Sequence, residues 1–301
     1  MNLEALIHSA HEQNLHILNI VVRQQGEIIA EHEFSKETPD QLWSVSKTFT
    51  SMAVGIAAHE GYFDIHDELA KYFPAAARDK FDQLTLRDLL CMGTGQAHCP
   101  LDKARQARQN LDDIESLFFV EPIIYKPGLH FTYNNAATYM LSKLISLRTG
   151  QCLLDFLRPR VFESLGITDV QWVQDVNGIN FGCAGLQMSA HDLSKFGQLL
   201  LDEGEWNGKS LIPRQYIQEA TQKQIDTSDF SEPFATADHK SGYGYQLWMN
   251  SYPGSYRLDG LYGQYVVIIP NKKAVITYVS NEPQNMTGIL ELTWKFIVEQ
   301  L

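Results

Sequence analysis

Two serines and a lysine stand close together in the stretch LWSVSKTFTSMAVGIAAHEG, residues 42–61. Val45, Phe49, Met52 and Ile56 recur at i, i+4, i+7 and i+11, which predicts a helix with one buried stripe and Gly61 as its C′ residue. Ser44 and Lys47 are three apart and share a face of the first turn. A lysine at a helix N-terminus opposes the macrodipole, so helix stability does not account for it. Acyl-transfer chemistry does. A serine hydroxyl is a weak nucleophile at neutral pH and needs a base beside it. A lysine supplies that base only as the neutral amine, a form favoured by burial and by the positive end of a helix. Ser46 also adjoins Lys47 but lacks the i, i+3 relation, and reads as a packing or hydrogen-bonding residue.

Two further stretches carry candidate chemistry. In YKPGLHFTYNNA, residues 125–136, Tyr133-Asn134-Asn135 stands just before a predicted helix. A phenol beside an ammonium ionises more easily, so a tyrosine held beside a lysine can share or relay a proton with it. In YRLDGLYGQYVVIIP, residues 256–270, Gly260 and Gly263 lead into an apolar strand. Other candidates carry less. His8, His11 and His16 have no carboxylate or cysteine at ligand spacing and read as solvated surface. His191 beside Asp192 reads as part of a helix cap. Neither G-x-S-x-G nor a glycine-rich phosphate loop is present, and Cys91 or Cys183 as nucleophile has no evident histidine partner.

The elements that must position these residues follow from pattern and punctuation. Residues 3–14 predict a short helix; HILNIVVRQ and EIIAEHEF flank Gln25-Gly26 as a hairpin. From Ser44 to about residue 225 the pattern is mainly helical. Thr85 caps TLRDLL, a helix in NNAATYMLSKLISLRTG ends at Gly150, and Ser189 with Asp192 opens another as a capping box. Strands return as YGYQLWMN, GQYVVIIP and AVITYVS, with NKK as a turn, before a last helix over about 287–300. The expected fold is α/β (α+β): one antiparallel sheet from both chain ends, flanked by helices. Residues 1–60 and 240–301 would form the sheet-containing region and 61–239 a mainly helical insert. The loop over 223–242, rich in Asp, Ser and Thr, is the candidate mobile segment.

Composition narrows the partners. The 301 residues are 44% hydrophobic, enough for one large domain or two interleaved ones. With 24 basic against 36 acidic residues the net charge is −12, and no basic block interrupts it, which argues against nucleic acid or an anionic membrane as partner. The first residues lack the basic start and apolar core of a signal peptide and no run is long enough to span a bilayer, so a cytoplasmic protein is expected. Cys91, Cys99, Cys152 and Cys183 show no CxxC spacing and read as reduced, mostly structural thiols.

Taken in order, these stretches resemble a known family. SVSKTFTSMAVGIAAHEGYFDIHDELAKYFP, LTLRDLLCMGTG, PGLHFTYNNA, AGLQMSAHDLSKFGQLLLDEGEWNGKSLIP and DGLYGQYVVIIP are similar to successive blocks of the β-lactamase and penicillin-recognising serine hydrolases. The likeness is to the class C β-lactamase-related branch of esterases, peptidases and penicillin-binding-like proteins. S-x-x-K followed at this distance by P-G-x-x-F-x-Y-x-N is the specific part. The resemblance implies Ser44 as nucleophile, Lys47 and Tyr133 as the base pair, and Asn135 as a substrate-orienting amide. It also implies an oxyanion hole from the backbone N–H groups of Ser44 and Leu261. The expected reaction is acyl transfer through acyl-Ser44 on a small ester, amide or peptide, with no metal and no cofactor. Rivals are a D-amino-acid peptidase, a weak β-lactamase, or a catalytically silent penicillin-binding-like sensor.

One motif departs from the family pattern. Many relatives carry Lys or His, a small residue and Gly on the strand lining the site; here the triplet is Leu258-Asp259-Gly260. The glycine would leave room for substrate backbone beside the strand. Leu258 offers no donor and Asp259 offers a like charge to an anionic substrate, which tells against β-lactams. Arg257 is the counterweight, since strand alternation aims it and Asp259 to one face.

Overall fold

The computed structural model describes residues 1–301 except Arg78. Its large sheet has six antiparallel strands in the order β2-β1-β11-β10-β9-β8. They are β1 (Ile17–Gln24), β2 (Glu27–Glu33), β8 (Trp248–Met249), β9 (Tyr256–Gly260), β10 (Gln264–Ile269) and β11 (Ala274–Ser280). The N-terminal hairpin therefore docks on the C-terminal strand: β1 pairs β11 from Ile17↔Ser280 to Gln24↔Ala274. The β1–β2 turn has Gln25 at φ 55° and Gly26 at φ 89°, the left-handed pair that matches the twist of a two-residue hairpin. Five shorter strands lie between. β3 (Asp40–Gln41), β5 (Leu186–Met188) and β4 (Gln171–Trp172) form a small sheet, and β6 (Glu205–Trp206) pairs β7 (Lys209–Ser210).

Side chains alternate across β10, and both faces are covered. Tyr265, Val267 and Ile269 join Ile20, Val22, Ile276 and Tyr278 under α1 (Glu4–Glu12) and the C-terminal helix. Val266 and Ile268 face the larger core with Val21, Val275 and Val279. The segments on that side include α2 (Ser46–His59), α3 (Leu86–Leu90), α4 (Pro100–Gln106), α5 (Ile114–Val120), α6 (Asn135–Thr149), α7 (Leu153–Leu157), α8 (Glu163–Leu165), α9 (Ala190–Leu201) and α10 (Arg214–Ala220). The C-terminal helix is α11 (Met286–Leu292), continued by tighter and wider turns to Gln300. α9 lies against β1, β10 and β11, so the sheet layer also draws on chain between the two end segments. Gly197 makes this close: a Cβ there would come within 2.6 Å of Val266 and Val275 side chains.

The helix signals hold in detail. The Thr85 hydroxyl and the Asp88 carboxylate cap each other's backbone at α3, whereas at α9 only half of the expected box forms: the Ser189 side chain accepts from the Asp192 N–H, and the Asp192 carboxylate accepts from Lys195 instead. Gly150 ends α6 at φ 73°. Two expectations shift. The strand expected over YGYQLWMN is cut to Trp248–Met249, because Gln246 stands at φ 64° and turns the chain. The helix expected from Ser44 begins at Ser46, after a 3₁₀ turn over Trp43–Val45. It is also buried all round, from Ser46 to Ala57, rather than along one stripe. Phe49 stacks on Phe196 with ring centroids 3.7 Å apart, and Gly55 leaves room for the Tyr216 ring, whose hydroxyl bonds Ser51 at 2.8 Å. Phe49→Ala would cost about 3–5 kcal/mol. The chemistry-bearing helix is thus the axis of the core.

Candidate active site

The 3₁₀ turn over Trp43–Val45 and the first turn of α2 bring Ser44 and Lys47 together. Among the described residues Lys47 has no salt bridge, and it is only 1% exposed. Its Nζ donates to Ser44 Oγ at 2.8 Å and to the Cys183 carbonyl at 2.9 Å, and lies 4.8 Å from the Tyr133 ring centroid. The 3₁₀ turn brings Ser44 nearly above Lys47, since three residues per turn eclipse i and i+3. Ser46 is occupied elsewhere: its hydroxyl donates to the Trp43 carbonyl at 2.6 Å and accepts from the Leu186 N–H at 3.2 Å. The loop carrying Cys183 is fixed to α2 a second time, by Thr50 Oγ1 donating to the Gly182 carbonyl.

Tyr133 sits on the extended segment that enters α6. Thr132 N–H donates to the Met92 carbonyl, and Asn134 caps the helix by accepting from the N–H groups of Ala136 and Ala137. Asn134 Nδ2 donates to Gln96 Oε1, whose amide donates in turn to the carbonyls of Phe118 and Glu121. The polar network at this motif therefore runs through Asn134. Asn135 is half-buried at the first position of α6 and is not among the residues lining the cavity. Trp43, Met92, Gln246 and Tyr262 all hold positive φ (48°, 60°, 64° and 65°). Each such non-glycine residue costs about 1–2 kcal/mol. One directly precedes Ser44, one anchors the Tyr133 segment, and the Trp43 and Tyr262 rings meet edge to face at 5.2 Å.

A cavity of about 820 Å³ opens in front of Ser44. Tyr133, Asp259 and Leu261 line it; Gly260 does not. A Cβ on Gly260 would meet the Leu42 carbonyl at 2.5 Å, so the room it leaves is taken by the chain entering the Ser44 turn rather than by a substrate. Asp259 is also not a free anion. Its Oδ2 takes a hydrogen bond from Arg257 Nε at 2.8 Å and lies 3.6 Å from His239 Nε2. Burial pushes its carboxyl up, but the Arg257 charge and His239 outweigh this and hold it below the ordinary value. Leu258 points into the core.

Sequence reasoning missed much of the wall. Phe131, Phe230, Phe234, His239 and Trp248 line the cavity, three of them from the loop over 223–242. That loop's Asp, Ser and Thr content masked its two phenylalanines, and nothing local marks Trp248. Asp102, Asp229 and Glu232 add carboxylates, while the wall's Lys103 is bonded to both oxygens of Glu121. The cysteines stay free, and burial raises the thiols of Cys91 and Cys99 to about 11 and that of Cys183 upward. His8, His11 and His16 are exposed, and no group of three potential ligands among the described residues is placed to hold a metal. Among those residues no helix is long and apolar enough to cross a membrane.

Comparison with known proteins assigns the family and the fold. The Beta-lactamase family model matches residues 4–294. The 6-aminohexanoate-dimer hydrolase of Paenarthrobacter ureafaciens is 23% identical over 285 residues, covering 87% of this chain and 72% of the relative. A Bacillus anthracis protein assigned as a 6-aminohexanoate-dimer hydrolase superposes with a TM-score of 0.82 at 24% identity, over 97% of this chain and 82% of the other. The octameric penicillin-binding protein homologue from Pyrococcus abyssi superposes at 0.77 with 19% identity, over 97% and 76%. The chain belongs to the Beta-lactamase family and is a serine hydrolase of the β-lactamase and penicillin-binding superfamily.

Proposed function

We propose that the protein hydrolyses a small neutral or cationic ester or amide through an acyl-Ser44 intermediate. The 2.8 Å contact from Lys47 Nζ to Ser44 Oγ carries this reading. The Ser44 proton passes to the Lys47–Tyr133 pair as Oγ bonds the carbonyl carbon, and the carbonyl electron pair moves to oxygen. Backbone N–H groups of Ser44 and Leu261 hold that oxyanion. Its collapse breaks the bond to the leaving group, which takes the proton back, and water then hydrolyses the acyl-serine by the same steps. Of the four residues proposed to bind or position substrate, Asp259 and Leu261 stand in the cavity wall, whereas Asn135 and Gly260 stand outside it and Gly260 acts through the chain that enters the Ser44 turn.

The charge of the wall supports the substrate class. Arg257 is paired to Asp259 and Lys103 to Glu121, which leaves Asp229 and Glu232 in the wall, with Asp102 4.0 Å from Arg105. Such a wall favours cations over the carboxylate of a β-lactam. The relatives named for a 6-aminohexanoate dimer make that linear amide, with one cationic and one anionic end, a substrate to include. The test is a panel of p-nitrophenyl esters, D-amino-acid amides, the 6-aminohexanoate dimer and a chromogenic cephalosporin, with Ser44→Ala as control. Turnover of an ester or amide that Ser44→Ala abolishes supports the reading. Fluorophosphonate labelling of Ser44 with no turnover across the panel would instead mark a ligand sensor.

A further inference from the structure

Tyr133 is held by its ring rather than by its hydroxyl. Among the described residues no hydrogen bond fixes Tyr133 Oη, yet its ring meets Lys47 Nζ at 4.8 Å and lies within 14° of parallel to Trp248, centroids 6.0 Å apart. Trp248 is buried at the edge of the sheet, with Phe131 at 5.3 Å and Tyr243 at 4.9 Å packed against it at steep angles. Directly opposite on β9 stands Arg257, its register partner. Cross-strand partners share a face, and the guanidinium carbon lies 5.6 Å from the Trp248 ring.

Arg257 is an unusual choice for that position. It is fully buried and outside the cavity lining, so it does not meet substrate. Four hydrogen bonds fix it: Nε to Asp259, and Nη1 to the Asp238 carbonyl, the Met249 carbonyl and Asn250 Oδ1. An apolar side chain of similar volume would fill the space without the cost of desolvating an ion pair, so stability alone explains it poorly. A planar guanidinium held through Nε and Nη1, its Nη2 buried without a partner, does something an aliphatic chain cannot. It presents a rigid flat surface to the indole and attracts the ring.

We infer that Arg257, acting through Trp248, is a positioning residue for the chemistry proposed above: it fixes the indole against which Tyr133 lies, and so sets how Tyr133 meets Lys47 and Ser44. The inference rests on Tyr133 sharing in proton transfer. Contacts run in series from Lys47 to Tyr133, Trp248, Arg257 and Asp259, linking the reacting pair to the sheet.

The experiment measures the rate of fluorophosphonate labelling across pH, and kcat and KM for p-nitrophenyl acetate, on purified full-length variants. Arg257→Met leaves Asp259 unpaired, so Arg257→Met combined with Asp259→Asn is made beside it and keeps the buried pair neutral if the single variant fails to fold. Both are expected to label on the order of 10- to 10²-fold more slowly, with a displaced pH profile and little change in KM. Trp248→Phe keeps a ring beside Tyr133 and should recover most of the rate that Trp248→Leu loses. Wild-type labelling by the double variant and by Trp248→Leu, with Tyr133→Phe slow, overturns the inference and leaves the Tyr133 assignment standing. Slow variants with an unmoved pH profile, and no difference between Trp248→Phe and Trp248→Leu, also overturn it as mere packing. Wild-type labelling by Tyr133→Phe removes the assignment itself, and the inference with it.

Discussion

Arg257 Nε donates to Asp259 Oδ2 at 2.8 Å, so the carboxylate next to Leu258, which stands where many relatives carry a basic residue, brings its own counter-ion. The arginine is wholly buried and the aspartate side chain 13% exposed. Removing one partner of such a pair leaves a buried charge, and Asp259→Asn is expected to cost about 3 kcal/mol. The carboxyl is held below its ordinary value of 3.8. Its contribution is therefore present above that value and lost as pH falls through the folded one. Chemical denaturation of both proteins should show a gap at neutral pH that closes in strong acid. The variant also frees the arginine charge beside the cavity, so the kcat/KM ratio of a cephalosporin to a neutral ester should rise. An unchanged ratio would remove charge as the reason for substrate choice.

The two serines of the nucleophile turn should separate cleanly. Ser44→Ala is expected to abolish hydrolysis and fluorophosphonate labelling. Ser46→Ala should keep most of both while losing about 1 kcal/mol, since its hydroxyl bonds the Trp43 carbonyl and the Leu186 N–H. Intact-mass spectrometry with peptide mapping decides the matter, and a label on Ser46 or a cysteine sinks the assignment.

Lys47 and Tyr133 are tested by what their replacements cannot do. A guanidinium does not give up its proton in a protein, so Lys47→Arg should be nearly inactive although it keeps the charge. Tyr133→Phe should slow acylation by on the order of 10²-fold. Near-wild-type rates for Lys47→Arg would take the lysine out of the mechanism.

The parts of this site legible in the sequence are those governed by local geometry. Ser44 and Lys47 are one turn apart, and a spacing of three says so without any tertiary information. Thr85, Ser189 and Gly150 announce helix ends because caps are satisfied within a few residues. The Asp259 pairing was half legible, since strand alternation puts Arg257 on its face, but burial decided that they neutralise each other. What stayed hidden depends on distant chain. Trp248 meets Arg257 across a strand pair and Tyr133 from far earlier in the sequence. Asn134 rather than Asn135 ties the motif together because Gln96 happens to reach it.

A histidine away from the cavity should make stability depend on pH. His191, in the first turn of α9, has Nδ1 2.8 Å from Glu37 and Nε2 3.0 Å from Glu31 on β2. Burial lowers its pKa, but hydrogen bonds to both carboxylates outweigh that and leave it above 6.5. A raised histidine contributes stability that is complete below its unfolded value and lost as pH rises through the folded one. The melting temperature of wild type should exceed that of His191→Gln most at about pH 6 and converge with it at about pH 9. A constant difference across that range would show packing, not charge, to be what His191 supplies.

Gly260 ties the sheet to the turn that carries Ser44, and its replacement should be felt there. A Cβ there would lie 2.5 Å from the Leu42 carbonyl and 2.9 Å from the Gln264 side chain. The glutamine has little freedom, being bonded to Ser280 on β11. Leu42 is held from the other side, its N–H donating to the Leu186 carbonyl at 2.8 Å. Neither neighbour yields without moving backbone, and the next residues after Leu42 are Trp43, already at φ 48°, and Ser44. Gly260→Ala is therefore expected to cost about 1–3 kcal/mol of stability as overpacking. It should also slow acylation by on the order of 10²-fold by displacing Ser44 from Lys47. Thermal unfolding and fluorophosphonate labelling rates on the same preparation separate the two effects. A variant that is destabilised yet labels at the wild-type rate would show that the strand contact supports the fold without setting the position of the nucleophile.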